Sequence, residues 1–269
     1  MANDAASQGK AVRPLAIVTG GLQGLGLSAV VELGKSGFDV AIVDLAEGPA
    51  LSPELSAVAD HGGHCRYYQL DIADLDRHAT VLAEIERDFG RLDCLVNNAG
   101  IAARPLTDIL ELSPAAFDRS YEVNLRGTFF LTQAFANRLL QRAPFEPSAY
   151  KSIIIITSIA AELSFIDRSQ YCITKSALTM TTKLYAARLA PAGIHVHEIR
   201  PGLMETPMTA KIGNDTIARL IADGAVPIPR QGRPEDVGRT VSALASGALP
   251  YMTGQPIWTA GGLNIPRIL

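Results

Sequence analysis

Short apolar runs alternate along the chain with longer segments that repeat their apolar residues at helical spacing. The short runs are rich in β-branched residues and predict β-strands, whereas the longer segments predict α-helices. The predicted strands are Leu15–Thr19, Asp39–Asp44, His64–Gln69, Leu92–Asn97, Lys151–Thr157, Ile194–Ile199 and Pro256–Thr259. The predicted helices include Gly24–Ser36, Asp74–Phe89, Pro114–Gln141, Ser169–Ala190 and Pro234–Ala245.

The order of these elements predicts the class of fold. Most of the strands are apolar without strict alternation, which is typical of strands that are covered on both faces. Regular alternation of strand and helix favours parallel pairing with right-handed crossovers. We therefore expect an α/β fold built on one doubly wound parallel sheet. Leu203–Arg230 is longer than a simple crossover needs, and it is predicted to form a lid over a pocket.

Composition and charge narrow the classes of function. The 269 residues carry a net charge of −3, and no basic stripe is visible, so a nucleic-acid partner is not expected. The longest apolar block, around Ile153–Ile156, is too short to cross a bilayer, and residues Met1–Pro14 lack the apolar core of a signal peptide. We therefore expect a cytoplasmic protein without a membrane partner. His195 and His197 share a strand face, but no third ligand is in view, so packing is favoured over a metal site.

A glycine-rich turn follows the first predicted strand and opens the first predicted helix. Its sequence, Thr19-Gly20-Gly21-Leu22-Gln23-Gly24-Leu25-Gly26, allows a sharp turn and a close approach of backbone to a pyrophosphate. The helix N-terminus adds free N–H groups and the positive end of the helix dipole. Gly20, Gln23, Gly24, Leu25 and Gly26 are therefore candidate cofactor-binding residues.

Asp44 ends the second predicted strand, where a carboxylate would bind an adenosine ribose and repel a 2′-phosphate. Leu45 follows it, and no Arg or Lys is evident nearby to hold such a phosphate. NAD is therefore predicted in preference to NADP. Asp71 and Ile72, just past the third strand, are placed to meet the adenine in the same way. The alternative interpretation of Asp44 is a strand-end residue that caps a turn.

Tyr171 and Lys175 are four residues apart on a predicted helix and therefore share a face. An isolated pair of this kind is common by chance. Here, however, Ser158 lies just past the fifth strand, at the edge where doubly wound sheets bind ligands, and Asn124 lies in the helix before it. A nearby ammonium lowers the pKa of a tyrosine toward the working range of an acid–base catalyst. A hydroxyl such as that of Ser158 can hold a substrate oxygen.

These stretches together resemble the short-chain dehydrogenase/reductase family, and most of all its 3-oxoacyl-acyl-carrier-protein reductase-like members. The matching motifs are T-G-x-x-x-G-x-G at Thr19–Gly26, N-N-A-G at Asn97–Gly100, V-N-L around Asn124, Ser158, Y-x-x-x-K at Tyr171–Lys175 and P-G-x-x-x-T at Pro201–Thr206. The resemblance implies one Rossmann-type domain of about seven parallel strands over residues 13–269, preceded by a flexible N-terminus at residues 1–12. It also implies an enzyme that needs no metal.

By this resemblance, Tyr171 is the general acid in reduction and the general base in oxidation. Lys175 lowers the pKa of Tyr171 and binds the nicotinamide ribose, Ser158 orients the substrate carbonyl, and Asn124 holds a water that relays protons. The resemblance further implies that the remaining cofactor contacts come from Asn98, Gly100, Pro201, Gly202, Met204 and Thr206. Family members are commonly homotetramers, and the long helices and the apolar segment Trp258–Leu269 lead us to expect one here.

The expected reaction interconverts a secondary alcohol and a ketone. Because fatty-acid synthesis usually uses NADPH, Asp44 favours a catabolic dehydrogenase acting on a sugar, polyol or hydroxy compound over a synthetic 3-oxoacyl reductase. Residues near the expected pocket are Arg104, Glu162, Phe165, Ile166, Arg168 and Met208. Arg104 could bind an anionic substrate, although a solvated loop arginine is the favoured interpretation. The alternatives are a sugar-nucleotide epimerase or dehydratase and a catalytically silent NAD-binding sensor or scaffold.

Overall fold

The computed structural model describes residues 13–47, 56–146, 149–209 and 214–266. Within these ranges the chain forms seven strands and eight α-helices. The strands are β1 (Leu15–Thr19), β2 (Asp39–Asp44), β3 (Cys65–Gln69), β4 (Cys94–Asn97), β5 (Lys151–Ile156), β6 (Ile194–Pro201) and β7 (Pro256–Thr259). The helices are α1 (Gly24–Lys35), α2 (Ser56–Asp60), α3 (His78–Phe89), α4 (Pro114–Ser120), α5 (Thr128–Leu140), α6 (Ser169–Leu189), α7 (Asn214–Ala222) and α8 (Pro234–Ala245).

The seven strands form one sheet in the order β3-β2-β1-β4-β5-β6-β7, and every pairing is parallel. Helices cover both faces of the sheet, which explains why β1 and β5 are buried along their whole length. The strand order reverses between β1 and β4, and ligands bind at such a switch point in open α/β sheets. The predicted single-domain, doubly wound parallel fold is confirmed.

Two apolar clusters, one on each face of the sheet, hold these layers together. One cluster packs α3, α5 and α6 on the sheet around Phe135 and Leu95, which are fully buried. The other packs α1 and α8 on the opposite face around Val30 and Val241. Small residues let α1 and α8 approach closely, since a Cβ on Gly238 would lie 2.5 Å from the Ser28 hydroxyl. The sheet is therefore a rigid base for the groups at its edge.

The predicted long helix Pro114–Gln141 is not continuous. It divides into α4, a π-helical segment at Tyr121–Gly127, and α5. Two short helices, α2 and α7, were not predicted, and α7 lies inside the predicted lid. Residues 1–12 and 210–213 and the tail from residue 267 lie outside the described residues. No helix in the described ranges is both long and apolar enough to cross a membrane.

Candidate active site

The glycine-rich turn joins β1 to α1 by a path that side chains would block. Gly20 and Gly24 have φ angles of 65° and 55°, in the left-handed region that favours glycine. At Gly26 the constraint is contact: a Cβ there would lie 2.0 Å from the carbonyl oxygen of Gly20 and 2.5 Å from Nδ2 of Asn98. The helix can therefore begin directly above the strand end only because glycine occupies this position.

The N-terminus of α1 is open to an anion. Gln23 precedes it with extended backbone and no side-chain cap, and the first turn carries no acidic residue. The first N–H groups of a helix have no partner within it, and they lie at the positive end of its dipole. Gly20, Gln23, Gly24 and Leu25 line a cavity of about 420 Å³ at the carboxyl edge of the sheet. This arrangement fits the pyrophosphate of a dinucleotide.

Asp44 lies in the same cavity, at the end of β2. Its carboxylate accepts hydrogen bonds from the backbone N–H groups of Leu22, at 3.2 Å, and of Leu45, at 2.8 Å. One loop further along, Asp71 accepts a hydrogen bond from the N–H of Ala73. Leu45, Asp71 and Ile72, which the sequence predicts as cofactor contacts, also line the cavity.

Arg119 is a cavity residue that the sequence analysis missed. Its guanidinium lies 3.9 Å from the Asp71 carboxylate. Nothing local in the sequence marks Arg119, because α4 brings it to the cavity from a distant part of the chain.

Asn98 holds the glycine turn in place. Its Nδ2 donates to the carbonyl oxygens of Thr19 and Gly20, both at 3.0 Å, and its backbone N–H donates to the Thr19 hydroxyl. Asn98 and Gly100, which were predicted to contact the cofactor, both line the cavity. The amide of Asn98 is nevertheless engaged with the protein, so its action on a cofactor would be through the turn that it fixes.

The reactive groups meet at the other end of the cavity. Tyr171 and Lys175 lie one turn apart on α6, and Ser158 follows β5. Lys175 donates from Nζ to the carbonyl oxygen of Ile156 at 2.9 Å, and this Nζ lies 5.5 Å from the centre of the Tyr171 ring. Interaction with the Ser158 side chain lowers the pKa of the Tyr171 hydroxyl. The three side chains predicted to be catalytic are therefore brought together.

Burial shifts the pKa values of both Tyr171 and Lys175. Burial lowers the pKa of Lys175 to about 8, although nearby Glu198 opposes this shift. Burial also raises the pKa of Tyr171 and outweighs the lowering by its hydrogen bond to Ser158. In this structure the net shift of the Tyr171 pKa is therefore upward, and Ser158 and Arg168, not Lys175, are the groups that lower it. The physical reason is that both groups are desolvated, while Nζ is bonded to the Ile156 carbonyl.

Asn124 lies in the π-helical segment and is buried. Its side chain exchanges two hydrogen bonds with the backbone of Ile101, at 2.7 and 3.0 Å. Asn124 does not line the cavity, and its amide oxygen would lie 3.0 Å from a Cβ at Gly100. The π-turn thus fixes Asn124 against the loop after β4, and such turns are frequent at functional sites.

The predicted nicotinamide-side residues Pro201, Gly202, Met204 and Thr206 line the cavity. Among the predicted site residues, Gly26 and Asn124 do not. The predicted pocket residues Arg104, Phe165, Arg168 and Met208 also line it, whereas Glu162 and Ile166 do not. Arg104 is exposed, and its guanidinium donates to the Met208 carbonyl at 3.4 Å.

His195 and His197 have packing partners. Tyr150 stacks on the His195 ring at 4.6 Å and places its hydroxyl 3.1 Å from Nε2 of His197. Burial lowers the pKa of His197 to about 4, so this ring is neutral at physiological pH. The described residues contain no group of three or more His, Cys, Asp or Glu side chains that could hold a metal ion.

Comparisons with known proteins agree with this geometry. A family model described as enoyl-(acyl carrier protein) reductase matches residues 20–264. A 3-oxoacyl-[acyl-carrier-protein] reductase from Thermotoga maritima is 30% identical over 93% of this chain and 97% of its own. A 3-oxoacyl-[acyl-carrier protein] reductase from Brucella melitensis, crystallised with NAD, superposes with a TM-score of 0.89 at 39% identity, covering 95% of this chain and 99% of that one.

The chain belongs to the short-chain dehydrogenase/reductase family. It is therefore an enzyme, an alcohol–ketone oxidoreductase that uses a nicotinamide cofactor. The silent sensor and the sugar-nucleotide epimerase or dehydratase are not favoured. A further member of the structural neighbourhood, provisionally assigned as a 2-deoxy-d-gluconate 3-dehydrogenase from Agrobacterium tumefaciens, binds NADP. It superposes with a TM-score of 0.80 at 31% identity, covering 93% of this chain and 96% of that one.

Replacing Gly26 with alanine tests the close approach at the turn. We expect Gly26→Ala to weaken binding of both NADH and NADPH by about tenfold or more, because overpacking against fixed backbone costs about 1–3 kcal/mol. Fluorescence titration measures the affinity. Gly90→Ala is the control, since Gly90 has open space around it; its positive φ, which Gly26 lacks, makes alanine no easier to accommodate there. Equal affinities in the two variants would contradict the steric argument.

Proposed function

We propose that the protein is an NAD(H)-dependent dehydrogenase or reductase that interconverts a secondary alcohol and a ketone, with Tyr171, Lys175, Ser158 and Asn124 as its catalytic residues. One observation carries this proposal. A single cavity at the switch point joins the anion-binding turn and Asp44 at one end to Tyr171, Ser158 and Lys175 at the other. A dinucleotide held at the first end would place its reactive ring toward the second.

The proposed roles follow from the chemistry of each side chain. The Tyr171 hydroxyl donates a proton to the carbonyl oxygen in reduction and accepts it from the alcohol in oxidation. Ser158, which interacts with the same hydroxyl, orients the substrate oxygen. Lys175 supplies a positive charge that favours the phenolate form and binds ribose hydroxyls. The cofactor, when bound, supplies or accepts the hydride.

Asn124 is the fourth proposed catalytic residue, and it lies next to the cavity without lining it. Its hydrogen bonds to Ile101 fix the loop after β4, and Lys175 reaches the same neighbourhood from α6. We propose that Asn124 holds the water through which Lys175 exchanges protons with solvent. Gly20, Gln23, Gly24, Leu25 and Gly26 would hold the pyrophosphate. Asn98 and Gly100 would line the cofactor near its adenosine side, while Pro201, Gly202, Met204 and Thr206 would flank the nicotinamide.

Tyr171→Phe tests the proton transfer. We expect kcat to fall about 1000-fold, within the range for loss of a general acid or base, with NADH affinity unchanged. Tyr185→Phe is a matched control on the same helix, because its hydroxyl bonds the Phe129 carbonyl away from the cavity. Initial rates with ketones and alcohols measure the effect. If Tyr171→Phe keeps more than a tenth of the wild-type kcat, the assignment is wrong.

Asp44 supports the choice of NAD over NADP. Its carboxylate lies at the end of β2 in the cavity, where it would bind ribose hydroxyls and repel a 2′-phosphate. A protein similar to this chain was crystallised with NAD, and another with NADP, so the relatives do not decide the question. The local charge favours NAD.

Asp44→Ala should reduce the preference for NADH over NADPH by about 100-fold in kcat/KM, because juxtaposed like charges cost several kcal/mol. Asp39→Ala is the control, since it removes a carboxylate from the other end of the same strand, where Asp39 pairs with Arg13. A wild-type preference for NADPH would overturn the cofactor assignment. It would also reopen a role in fatty-acid synthesis.

The substrate end of the cavity combines apolar and cationic side chains. Phe165 and Met208 provide apolar surface, while Arg104 and Arg168 provide positive charge. Arg168 is already paired with the Asp167 carboxylate through two hydrogen bonds. We propose a 3-oxoacyl compound or a keto sugar or polyol as substrate, with residues 203–230 as the lid of the domain that spans residues 13–269. Rates on a panel of ketones, keto sugars and 3-oxoacyl thioesters separate these classes.

We also propose a homotetramer in the cytoplasm. Ile173, Met180 and Leu184 are 49%, 55% and 59% exposed and lie along one side of α6. Tyr121 is exposed on the π-helical segment and Phe130 on α5. Such an apolar surface is unfavourable in water and fits a second copy of the chain. The expected contribution of the C-terminal tail beyond residue 266 lies outside the described residues.

Light scattering at micromolar concentration should give four times the mass of one chain. Leu184→Asp should shift the protein to smaller species, because a charge would then be buried at the contact. Leu110→Asp is the control, since it makes the same change of side chain and charge at a leucine that is 92% exposed and lies outside α6. A wild-type monomer would refute the proposed assembly.

A further inference from the structure

Two charged side chains are buried in β6, outside the proposed catalytic set. Glu198 is fully buried and Arg200 is 4% exposed, in a strand that is otherwise covered on both faces. Removing charges from water costs several kcal/mol per ion unless partners compensate for it. The sequence offers one hint, since Glu198 and Arg200 are charged residues in a strand that should be apolar.

One oxygen of Glu198 joins the two segments that carry the proposed catalytic groups. Oε1 accepts hydrogen bonds from the hydroxyls of Thr157, at 2.7 Å, and Thr179, at 2.9 Å. Thr157 lies between Ile156, whose carbonyl accepts from Lys175, and Ser158. Thr179 lies one turn beyond Lys175 on α6. The Glu198 carboxylate therefore ties the end of β5 to the catalytic part of α6.

Arg200 fixes this carboxylate from the other side. Its Nε donates to Glu198 Oε1 at 2.6 Å, and its Nη2 donates to the Thr179 hydroxyl at 3.1 Å. The guanidinium lies 4.8 Å above the Trp258 ring and also pairs with Glu162. Arg200 is thus held by strand, helix and ring, which leaves Glu198 little freedom to move.

The second oxygen of Glu198, Oε2, is buried and has no hydrogen-bond partner among the described residues. Lys175 is also buried, and the charge of Glu198 favours the protonated form of its amine. The Glu198 carboxylate has an oxygen without a hydrogen bond, and the Lys175 ammonium bonds the Ile156 carbonyl. Each group can therefore be stabilised further by a nearby opposite charge.

We propose that Glu198 is a positioning residue for the reaction: its carboxylate holds the segments of Ser158 and Lys175 together and is the counter-charge that keeps the Lys175 ammonium charged. This inference rests on the proposed catalytic role of Lys175. It gives a role to Oε2, the oxygen of this buried acid that Arg200 does not bond.

Several ionisable groups bear on this part of the site. Tyr171 lies on the same helix as Lys175, and Glu198 faces it from β6. Arg200 forms ion pairs with both Glu198 and Glu162. Arg168 lowers the pKa of Tyr171 and Cys172 raises it. The described neighbours on the π-helical segment and on the loop after β4, Asn124 and Gly100, do not titrate.

A direct test measures the pKa of Lys175 by ¹³C NMR of protein labelled at lysine Cε, with the signal assigned through Lys175→Arg. In Glu198→Gln the pKa of Lys175 should fall from about 8 by about one unit, because the ammonium loses its counter-charge. In Arg200→Met the pKa should rise, since a competing cation is removed and a side chain of similar length remains on Trp258. If Glu198 had a purely structural role, the two substitutions would not shift the Lys175 pKa in opposite directions.

Asp93→Asn is the matched control. Asp93 is a buried carboxylate at the opposite edge of the sheet, where it pairs with Lys151 and Arg91. Circular dichroism confirms that each variant is folded before titration. An unchanged Lys175 pKa in Glu198→Gln, or an equal change in Asp93→Asn, overturns the proposal. If Glu198→Gln does not fold, an unchanged or lowered pKa in Arg200→Met overturns it.

Kinetics separate this proposal from the proposed function. In the oxidation direction, the alkaline limb of the pH profile of kcat should lie about one pH unit lower in Glu198→Gln than in the wild type. At pH values above both limbs, the variant should therefore have an about tenfold lower kcat. The same limb should stay in place in Asp93→Asn. If turnover by the wild type does not depend on Tyr171, the proposed function is refuted. The NMR titration still tests whether Glu198 is the counter-charge of Lys175. Tyr171-dependent turnover with an unmoved limb in Glu198→Gln refutes only the role of Glu198.

Discussion

The parallel direction of all seven strands is the constraint on which the rest of the molecule depends. Parallel strands place their carboxyl ends at one edge, so residues far apart in sequence share that edge. For this reason Asp44 at the end of β2, Ser158 after β5 and Pro201 at the end of β6 meet in one cavity. The reversal of strand order between β1 and β4 opens the crevice in which that cavity lies.

Close backbone contact at the switch point turns this topology into a binding site. Asn98 bonds the carbonyls of Thr19 and Gly20, while Gly26 leaves no room for a side chain between helix and strand. The α1 N-terminus is therefore held rigidly over the sheet edge, with its N–H groups free. Rigidity here follows from packing, because the turn rests on strands that the two apolar clusters bury completely.

The catalytic end illustrates a conflict between burial and charge. In the proposed mechanism a charged Lys175 supports Tyr171, yet desolvation lowers the pKa of Lys175 to about 8. Burial acts on Tyr171 in the opposite sense and stabilises the protonated hydroxyl. A buried carboxylate such as Glu198 offsets part of the cost at the lysine without reaching the substrate. This arrangement ties the chemistry of the site to the packing beneath it.

The sequence by itself determined the elements with strong local signals. Strands such as Leu15–Thr19 and Pro256–Thr259, the glycine turn and the Tyr171/Lys175 pair follow from periodicity and spacing, which act within a few residues. Only the tertiary structure decided the π-turn around Asn124, the approach of Arg119, the net pKa of Tyr171 and the Glu198–Arg200 network. Each of these depends on contacts or desolvation between distant segments. Local residue patterns do not encode such contacts, because their energies exist only once the sheet brings those segments together.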